Sequence, residues 1–572
     1  MTSIDRYENS SRMACDDINI RNLPRKYSGD LLNFFFILII TLIIYLPFLG
    51  LPAWDGNEPI RAIVSKGMLK TGNYFAPILH GQPYFVKPPL MNWLIAASGR
   101  IFGEVNEWTA RLPSVLMVFA TSIMLYILPV RWLRGGTNFF AALAFLTMIG
   151  IMGKGRVAEI DSLFIFLVTV NLLVWIYGYT SNWKGPILWS VSLSLLAVSF
   201  LSKGPQAIVL FYSTVFAYLL VKRKLKLFFS FSHLIGLVFF GVILACYMLS
   251  VLKWVRFDEY IAMWRDQILQ RTIEEHSSFF EHFVLYPLRI LPQFMPWILF
   301  VLPVVIVKEL RDKLAEVTKN ELFVFSLVML AANIPLYWLL PNARVRYVLP
   351  SGPFIAIATA LLFELYMKQA EHNPKIIIYF RRIMKYIAVA TLLSVITVVP
   401  FLLLFGMKIT LVLILLLSAI SALSLTLIRF ISAAEIKPVL IYLSLITGLI
   451  FLVYTELDIR HDMKKEYYPR KVSREILNVL PGDADPVYEI GYDRFLRITY
   501  YLERDVVQLD SFTQLKKAGI KGKVYFIFDT DFLNKITTEE DRKIFLHDVS
   551  WKKLYTGRFA KDKNEIVVGY LE

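Results

Sequence analysis

Two pairs of carboxylates and a scatter of cations interrupt an otherwise apolar chain, and they define the chemistry it can do. Asp55 and Glu58 lie in LPAWDGNEPIRA, and Glu159 and Asp161 lie in GKGRVAEIDSL. A carboxylate beside an apolar boundary can have a raised proton affinity and act as a general base toward a hydroxyl. Asp55, after Trp54 and before a flexible glycine, suits that role. Glu58 stands where a helix should begin, and a carboxylate there serves equally well as a cap for free N–H groups. Asp161, at the end of an apolar run, should face a bundle interior or a watery cavity, with an ion pair to Arg156 as its simplest alternative. Lys87 precedes Pro88 and Pro89. A residue before proline is held extended, so its ammonium is presented from a stiff segment, either to one phosphate or to lipid headgroups in general. Arg344 and Arg346, in PNARVRYVLP, have no acidic neighbour in sequence; they suit a specific anion, or they snorkel. Together these groups describe a cavity for a polar, anionic substrate.

Other chemistries lack their residues. There is no Walker loop, no HExxH and no GxGxxG with a following acidic residue. The seven histidines are scattered, and His276 in EEHSSFF reads as an ordinary loop residue. Cys15 and Cys246 cannot build a disulfide framework or a Cys-rich metal site. No cofactor is required, a divalent metal is not supported, and the energy for any reaction must come from the substrate itself.

Membrane helices are the elements that must hold these residues. An ordinary soluble domain is about 45–50% apolar and about 25% charged. This chain of 572 residues is 56% apolar and 19% charged, with a formal net charge of +16. Spans need about 20 mainly apolar residues. Runs of that kind lie near 31–50, 110–130, 138–153, 161–179, 187–201, 206–221, 231–252, 289–308, 321–340, 347–367, 386–406, 409–429 and 438–455. The first lies too far into the chain, and is too long, to be a cleaved signal peptide. Lys and Arg concentrate in short loops at one end (Arg131 and Arg134, Lys222-Arg223-Lys224 with Lys226, the segment 309–320, Arg381-Arg382 with Lys385), which places that end and the N-terminus inside.

The expected organisation is a tail over 1–30, a membrane domain over 31–455 and a balanced C-terminal segment over 456–572. Long outer loops fall at 51–109 and 253–288. In the first, a helix is expected from Glu58-Pro59 to Gly72 and another after Pro88-Pro89, both amphipathic and both lying in the membrane interface. The C-terminal segment alternates short β-like runs (Val487–Ile490, Val506–Leu509, Val524–Phe528, Ile566–Tyr570) with helical ones (Val472–Leu480, Phe532–Ile544). That pattern suggests a small α/β domain on the outer side, as a lid or docking module. No internal repeat and no interrupted helix is evident, which argues against a transporter.

The stretches GNYFAPILHGQPYFVKPPLMNWL and IFGEVNEWTARLPSVL, followed in order by RVAEIDSLFIFLVT, FLSKGP, LPQFMPW and RYVLPSGP, resemble GT-C membrane glycosyltransferases. Within that superfamily the likeness is to the protein O-mannosyltransferase-related, lipid A aminoarabinose transferase group, over roughly residues 31–360. The resemblance implies a GT-C fold of about thirteen transmembrane helices, with juxtamembrane helices and an extracytoplasmic α/β domain. It implies transfer of a sugar, with inversion, from a polyprenyl phosphate to a lipid A-like, glycan or protein acceptor at the periplasmic face of an inner membrane. The enzyme would be a monomer with no nucleic-acid partner.

Carried over residue by residue, Asp55 or Glu58 matches the first-loop catalytic acid and Asp161 the second. Lys87 matches the lysine of the K-P-P motif near the donor phosphate, Arg346 and Tyr347 the R-Y-x-L-P segment, and Arg111 the R-L-P-S segment. Arg61, Tyr84, Lys203 and Arg344 complete the expected substrate-binding set. Two departures are visible: Asn57-Glu58 stands where relatives carry Asp-Glu, and Val86 replaces the acidic residue before the lysine.

The charge excess belongs to the membrane body. The first 30 residues carry five basic and five acidic side chains, and residues 456–572 balance at 21 each. The +16 therefore belongs to residues 31–455: short inner loops account for part of it through orientation, and the rest is expected on the outer face, where a donor phosphate would be held.

Overall fold

The computed structural model describes residues 25–571 except 134–135, 263–264, 266–278, 342, 373, 405, 407, 434–435, 492–494, 518–522, 530–550 and 559–564. The expectations for residues 1–24 with Cys15, for Arg134, His276 and most of the second long loop, and for a helix over Phe532–Ile544 lie outside the described residues.

Each apolar run became helix. Among the described residues nine helices are long and apolar enough to cross a membrane, and a tenth candidate is a bent pair. Shorter apolar helices occur at Asp30–Tyr45, Thr137–Leu146 and Gln206–Val221. The chain is a multi-pass membrane protein. In order, the first elements are α1 (Arg25–Tyr45), α2 (Glu58–Thr71), the strands β1 (Ile78–Leu79) and β2 (Gln82–Pro83), α3 (Leu90–Phe102), α4 (Glu107–Ile127), α5 (Thr137–Leu146) and α6 (Ile149–Lys154). They are followed by α7 (Asp161–Thr180), α8 (Gly185–Lys203), α9 (Gln206–Val221), the single turn α10 (Leu225–Phe228) and α11 (Phe231–Val251).

Two runs are broken where a single span was expected. The run 138–153 divides into α5 and α6 at Thr147-Met148, because Met148 is extended (ψ 134°) and the α6 ladder restarts after it. The run 289–308 is part of a pair, Phe279–Phe294 and Trp297–Ile306, bent by 96° at Met295-Pro296. Pro296 has no N–H to continue the ladder, so an interrupted helix is present after all.

Burial separates the interior helices from the lipid-facing ones. In the span Val345–Ala370, 94% of the apolar window is buried within protein, against 11% for Phe231–Val251 and for Phe380–Leu404. The large side chains Trp54, Trp175, Trp189 and Trp297 are enclosed in or beside this core.

Local sequence explains the platform that carries the first carboxylates. Helix α2 has Pro59 in its first turn and ends at Gly72, whose φ of +70° suits a residue without a Cβ. Asn106 accepts from Thr109 N (2.9 Å) while Thr109 Oγ1 accepts from Asn106 N (2.8 Å), which closes the start of α4. Helix α2 is also held from the C-terminal side of the chain. Its stripe Val64 and Met68 packs on Leu79, Tyr84 and Leu496, the last of these from the C-terminal segment, so protein rather than lipid covers it. Helix α3 keeps an apolar end open at Ile101 and Phe102.

After the last long helix (Ile436–Met463) and a helix over Pro469–Val479, the C-terminal segment forms a five-stranded sheet. Its strands are β3 (Val487–Ile490), β4 (Val506–Leu509), β5 (Val524–Asp529), β6 (Trp551–Arg558) and β7 (Glu565–Leu571), in the order β4-β3-β5-β7-β6. β3 is parallel to β4 and β5, with Val487 opposite Val506 and Tyr525. β7 is antiparallel to β5 and β6. β6 has no counterpart in the sequence reading: WKKLYTGR alternates weakly, and none of its residues is fully buried.

This sheet unit sits on the first long loop. His80 Nδ1 is 2.9 Å from Glu489 Oε2 with both side chains buried, and Gln508 N donates to His80 O at 2.9 Å. Tyr501 donates to Glu107 Oε1 at 2.6 Å, and Tyr500 donates to the Val105 carbonyl.

Candidate active site

Glu58 is closed. It is 1% exposed, and its carboxylate accepts four hydrogen bonds: from Arg111 Nε and Nη2 (both 2.7 Å), Ala158 N (2.7 Å) and Asp55 N (3.1 Å). Arg111 is closed as well. Its remaining donors go to the carbonyls of Leu49 (2.8 Å), Pro52 (3.0 Å) and Ala53 (3.2 Å). A guanidinium has five N–H donors, and all five are used. The geometry therefore corrects two expectations. Arg111 has no donor left for a phosphate, and Glu58 has no open oxygen for a proton. Together they pin the turn after α1 to the starts of α2 and α4.

Asp55 is the opposite case. Its side chain is 81% exposed, and Arg497 Nη2 from the C-terminal segment lies 2.8 Å from Oδ1. It stands in a cleft of about 700 Å³ whose walls include Trp54, Pro59, Asp458, Lys465, Tyr468 and Arg497. Gly56 follows at φ +55°, and a Cβ there would meet Glu159 Oε1 at 3.3 Å. The Asp55-Gly56 turn is thus packed against the second carboxylate pair.

That pair forms a compact charge cluster at the ends of α6, α7 and α8. Lys203 Nζ is 2.6 Å from Asp161 Oδ1. Arg346 Nη1 bonds Glu159 and lies 3.7 Å from Asp161 Oδ2, and Lys154 Nζ is 3.0 Å from Glu159 Oε2. The Lys203 ammonium also lies over the rings of Phe164 (5.0 Å) and Tyr347 (5.4 Å). Two carboxylates face three cations, which leaves one positive charge, and Arg346 Nε is buried without a hydrogen-bond partner. Asp161 does not pair with Arg156; that guanidinium donates to the carbonyls of Ile44 and Pro47 and fixes the end of α1.

A third group lies one turn along α2. Arg61, 4% exposed, donates to Asn92 Oδ1 (3.1 Å) and Tyr84 OH (3.5 Å) and lies over the Tyr84 ring at 5.7 Å. No described carboxylate lies within ion-pair distance of it. Lys87 is half-buried on the strap joining β2 to α3. Arg344 stays exposed, outside the cluster. Sequence reading missed Arg497 and Asn92, and nothing local marks either one. Among the described residues no group of three His, Cys, Asp or Glu side chains could hold a metal ion.

Residues 86–249 match the family described as dolichyl-phosphate-mannose-protein mannosyltransferase. The structure of ArnT from Cupriavidus metallidurans bound to undecaprenyl phosphate superposes with a TM-score of 0.67 at 18% identity, over 95% of this chain and 98% of that one. The chain has an ArnT-like GT-C fold. A curated protein of Aquifex aeolicus, itself uncharacterized, is 28% identical over 337 residues, 57% of this chain and 63% of its own length. An undecaprenyl phosphate-alpha-4-amino-4-deoxy-L-arabinose arabinosyl transferase of Pseudomonas savastanoi pv. phaseolicola is 29% identical over 189 residues, 33% of this chain and 35% of its own. The chain thus spans less than two thirds of the length of either curated relative. In the ArnT-like fold it shares, the 156–161 turn joins the Glu58–Arg111 pair to the charge cluster.

Proposed function

We propose that the protein is a membrane glycosyltransferase that takes a sugar from a polyprenyl-phosphate donor. The donor would be undecaprenyl phosphate-linked and the sugar aminoarabinose or a close relative. The acceptor is the hydroxyl or phosphate of a lipid A-like molecule, a glycan or a protein at the periplasmic face of the inner membrane. The single observation that carries this reading is the half-buried cluster of Lys154, Lys203 and Arg346, which exceeds its carboxylates by one charge and leaves the buried Arg346 Nε unpartnered. A buried donor without an acceptor costs about 1–3 kcal/mol, a cost that an incoming phosphate oxygen removes.

In the reaction, the bond between the anomeric carbon and the donor phosphate oxygen breaks, and its electron pair leaves with the polyprenyl phosphate. The acceptor oxygen bonds to the opposite face of that carbon, which inverts it. Negative charge grows on the leaving phosphate, where Lys203, Arg346, Lys87 and Arg61 would hold it; each preorganised donor is worth about 3 kcal/mol. Asp55 accepts the proton of a hydroxyl acceptor, whereas an ionised phosphate acceptor needs no base. Asp161 is bound to Lys203, so its role is to hold that ammonium in place.

Purified protein, given a polyprenyl-phosphate sugar and candidate acceptors, should yield a glycosylated product by mass spectrometry. Complete dependence on Asp55 would mark a hydroxyl acceptor, and residual activity in Asp55→Asn a phosphate. The bent pair at Met295-Pro296 gives one observation in favour of a polyprenyl-glycan flippase. Translocation of intact donor without product would favour that second reading.

A further inference from the structure

We propose that the end of the bundle opposite the candidate active site carries a second anion site, which takes the phosphate of an anionic lipid headgroup. A cleft of about 530 Å³ lies there, and its lining includes Arg131, Trp132, Tyr179, Lys224, Lys226 and Glu321. Four turns of chain converge on it: the end of α4, the α7–α8 turn, the α9–α10 turn and the start of the helix Glu321–Leu339.

The charges in the cleft do not cancel. Glu321 is already taken, since Lys222 Nζ lies 2.6 Å from its Oε2 and Tyr218 donates to the same oxygen at 2.5 Å. Arg131, Lys224 and Lys226 have no carboxylate within ion-pair distance among the described residues. Three uncompensated cations therefore border one concave space. Helix dipoles do not account for them: α7 and α9 end here while α8 and the Glu321 helix begin, so the fields of neighbouring ends oppose one another.

The site is also preorganised. The Arg131 guanidinium lies over the rings of Trp132 (4.9 Å) and Tyr177 (5.4 Å), and its Nη1 donates to Ser181 Oγ at 2.6 Å. A guanidinium held at two rings and a hydroxyl in this way has other donors left for an anion, and its planar fork matches the oxygens of a phosphate. Lys224 is set by the end of α9, where Arg223 adopts φ +55° and Lys224 N donates to Leu219 O at 2.8 Å.

The surroundings favour a lipid source over a free phosphate. Ile127, Leu220, Val221, Phe229 and Phe231 are all exposed on the same helix ends. Exposed apolar side chains beside the cleft give acyl chains a surface while the headgroup meets the cations. A general excess of basic residues at an inner membrane face needs no concave site and no guanidinium held by rings and a hydroxyl, and this cleft has both.

The test uses the full-length protein, purified in detergent, stripped of lipid and titrated with phosphatidylglycerol or phosphatidylcholine under native mass spectrometry. The wild type should retain one phosphatidylglycerol in preference to phosphatidylcholine. The triple variant Arg131→Gln/Lys224→Gln/Lys226→Gln should weaken that retention by at least about tenfold. The variant Lys308→Gln/Arg311→Gln/Lys319→Gln removes as much charge from the same end outside the cleft and should leave retention unchanged. Equal retention in both variants, or equal binding of phosphatidylcholine, overturns the proposal. Displacement of the bound lipid by 1 mM inorganic phosphate (a concentration on the order of a weak anion site) would keep the phosphate chemistry and overturn the lipid as its source.

Discussion

Asp55 presents an open carboxylate to the cleft, and Arg497 is the one cation paired with it among the described residues. Glu58, three residues on, has every oxygen occupied. Carboxylates so near in sequence differ this much because one faces solvent at a turn and the other is locked to Arg111 inside the protein. Asp55→Asn should therefore abolish transfer to a hydroxyl acceptor while leaving donor binding intact, as read by product formation and by donor titration. Lys203→Ala should act on the donor side, lowering turnover by about 10²–10³-fold. Part of that loss would come from the Asp161 carboxylate left without its closest cation. These residues could be nominated from sequence because charge is rare in apolar runs, but their pairing could not. Arg346 finds Glu159 and Asp161 only after the chain has crossed the bundle several times, and the alternative pair Asp161–Arg156 was as reasonable until the end of α1 claimed Arg156.

Helices α2 and α3 were legible because their signals are local: Pro59 and Gly72 bound one, and Pro89 precedes the other. What covers α2 was not legible, since an amphipathic stripe packs as well on protein as on lipid and Leu496 is far away in sequence. The break at Thr147-Met148 and the bend at Pro296 were hidden by continuous apolarity, which sets the environment of a run and not its continuity. At this scale the Glu58–Arg111 pair is a staple between elements. Glu58→Gln leaves a buried guanidinium without its counter-charge, which costs about 3–5 kcal/mol. It should lower the thermal midpoint and the yield of folded protein. A Glu58→Gln variant that is fully stable yet inactive would contradict the structural role and return Glu58 to the chemistry.

At the scale of the molecule, a charge-balanced sheet unit is seated on the first long loop and reaches the candidate site through Arg497. Its strands were partly readable as short β-branched runs, but β6 was not, and its position over α2 depends on contacts such as His80–Glu489 that no local pattern reveals. The Arg497 side chain is 46% exposed, so Arg497→Ala should not unfold the protein. It should slow transfer by roughly ten- to a hundredfold by freeing Asp55 to wander, with donor affinity unchanged and partial rescue by Arg497→Lys. An unaltered rate would mean that the sheet unit only docks. The central claim, that a half-buried cationic cluster and an open carboxylate serve sugar transfer from a lipid phosphate, is tested most directly by one assay. Purified protein reconstituted with an undecaprenyl-phosphate sugar and lipid A is followed by mass spectrometry for the glycosylated product, in parallel with Lys203→Ala. The account predicts an acceptor heavier by one sugar and loss of that product in the variant. Intact donor and unmodified acceptor with every sugar and acceptor supplied would contradict it.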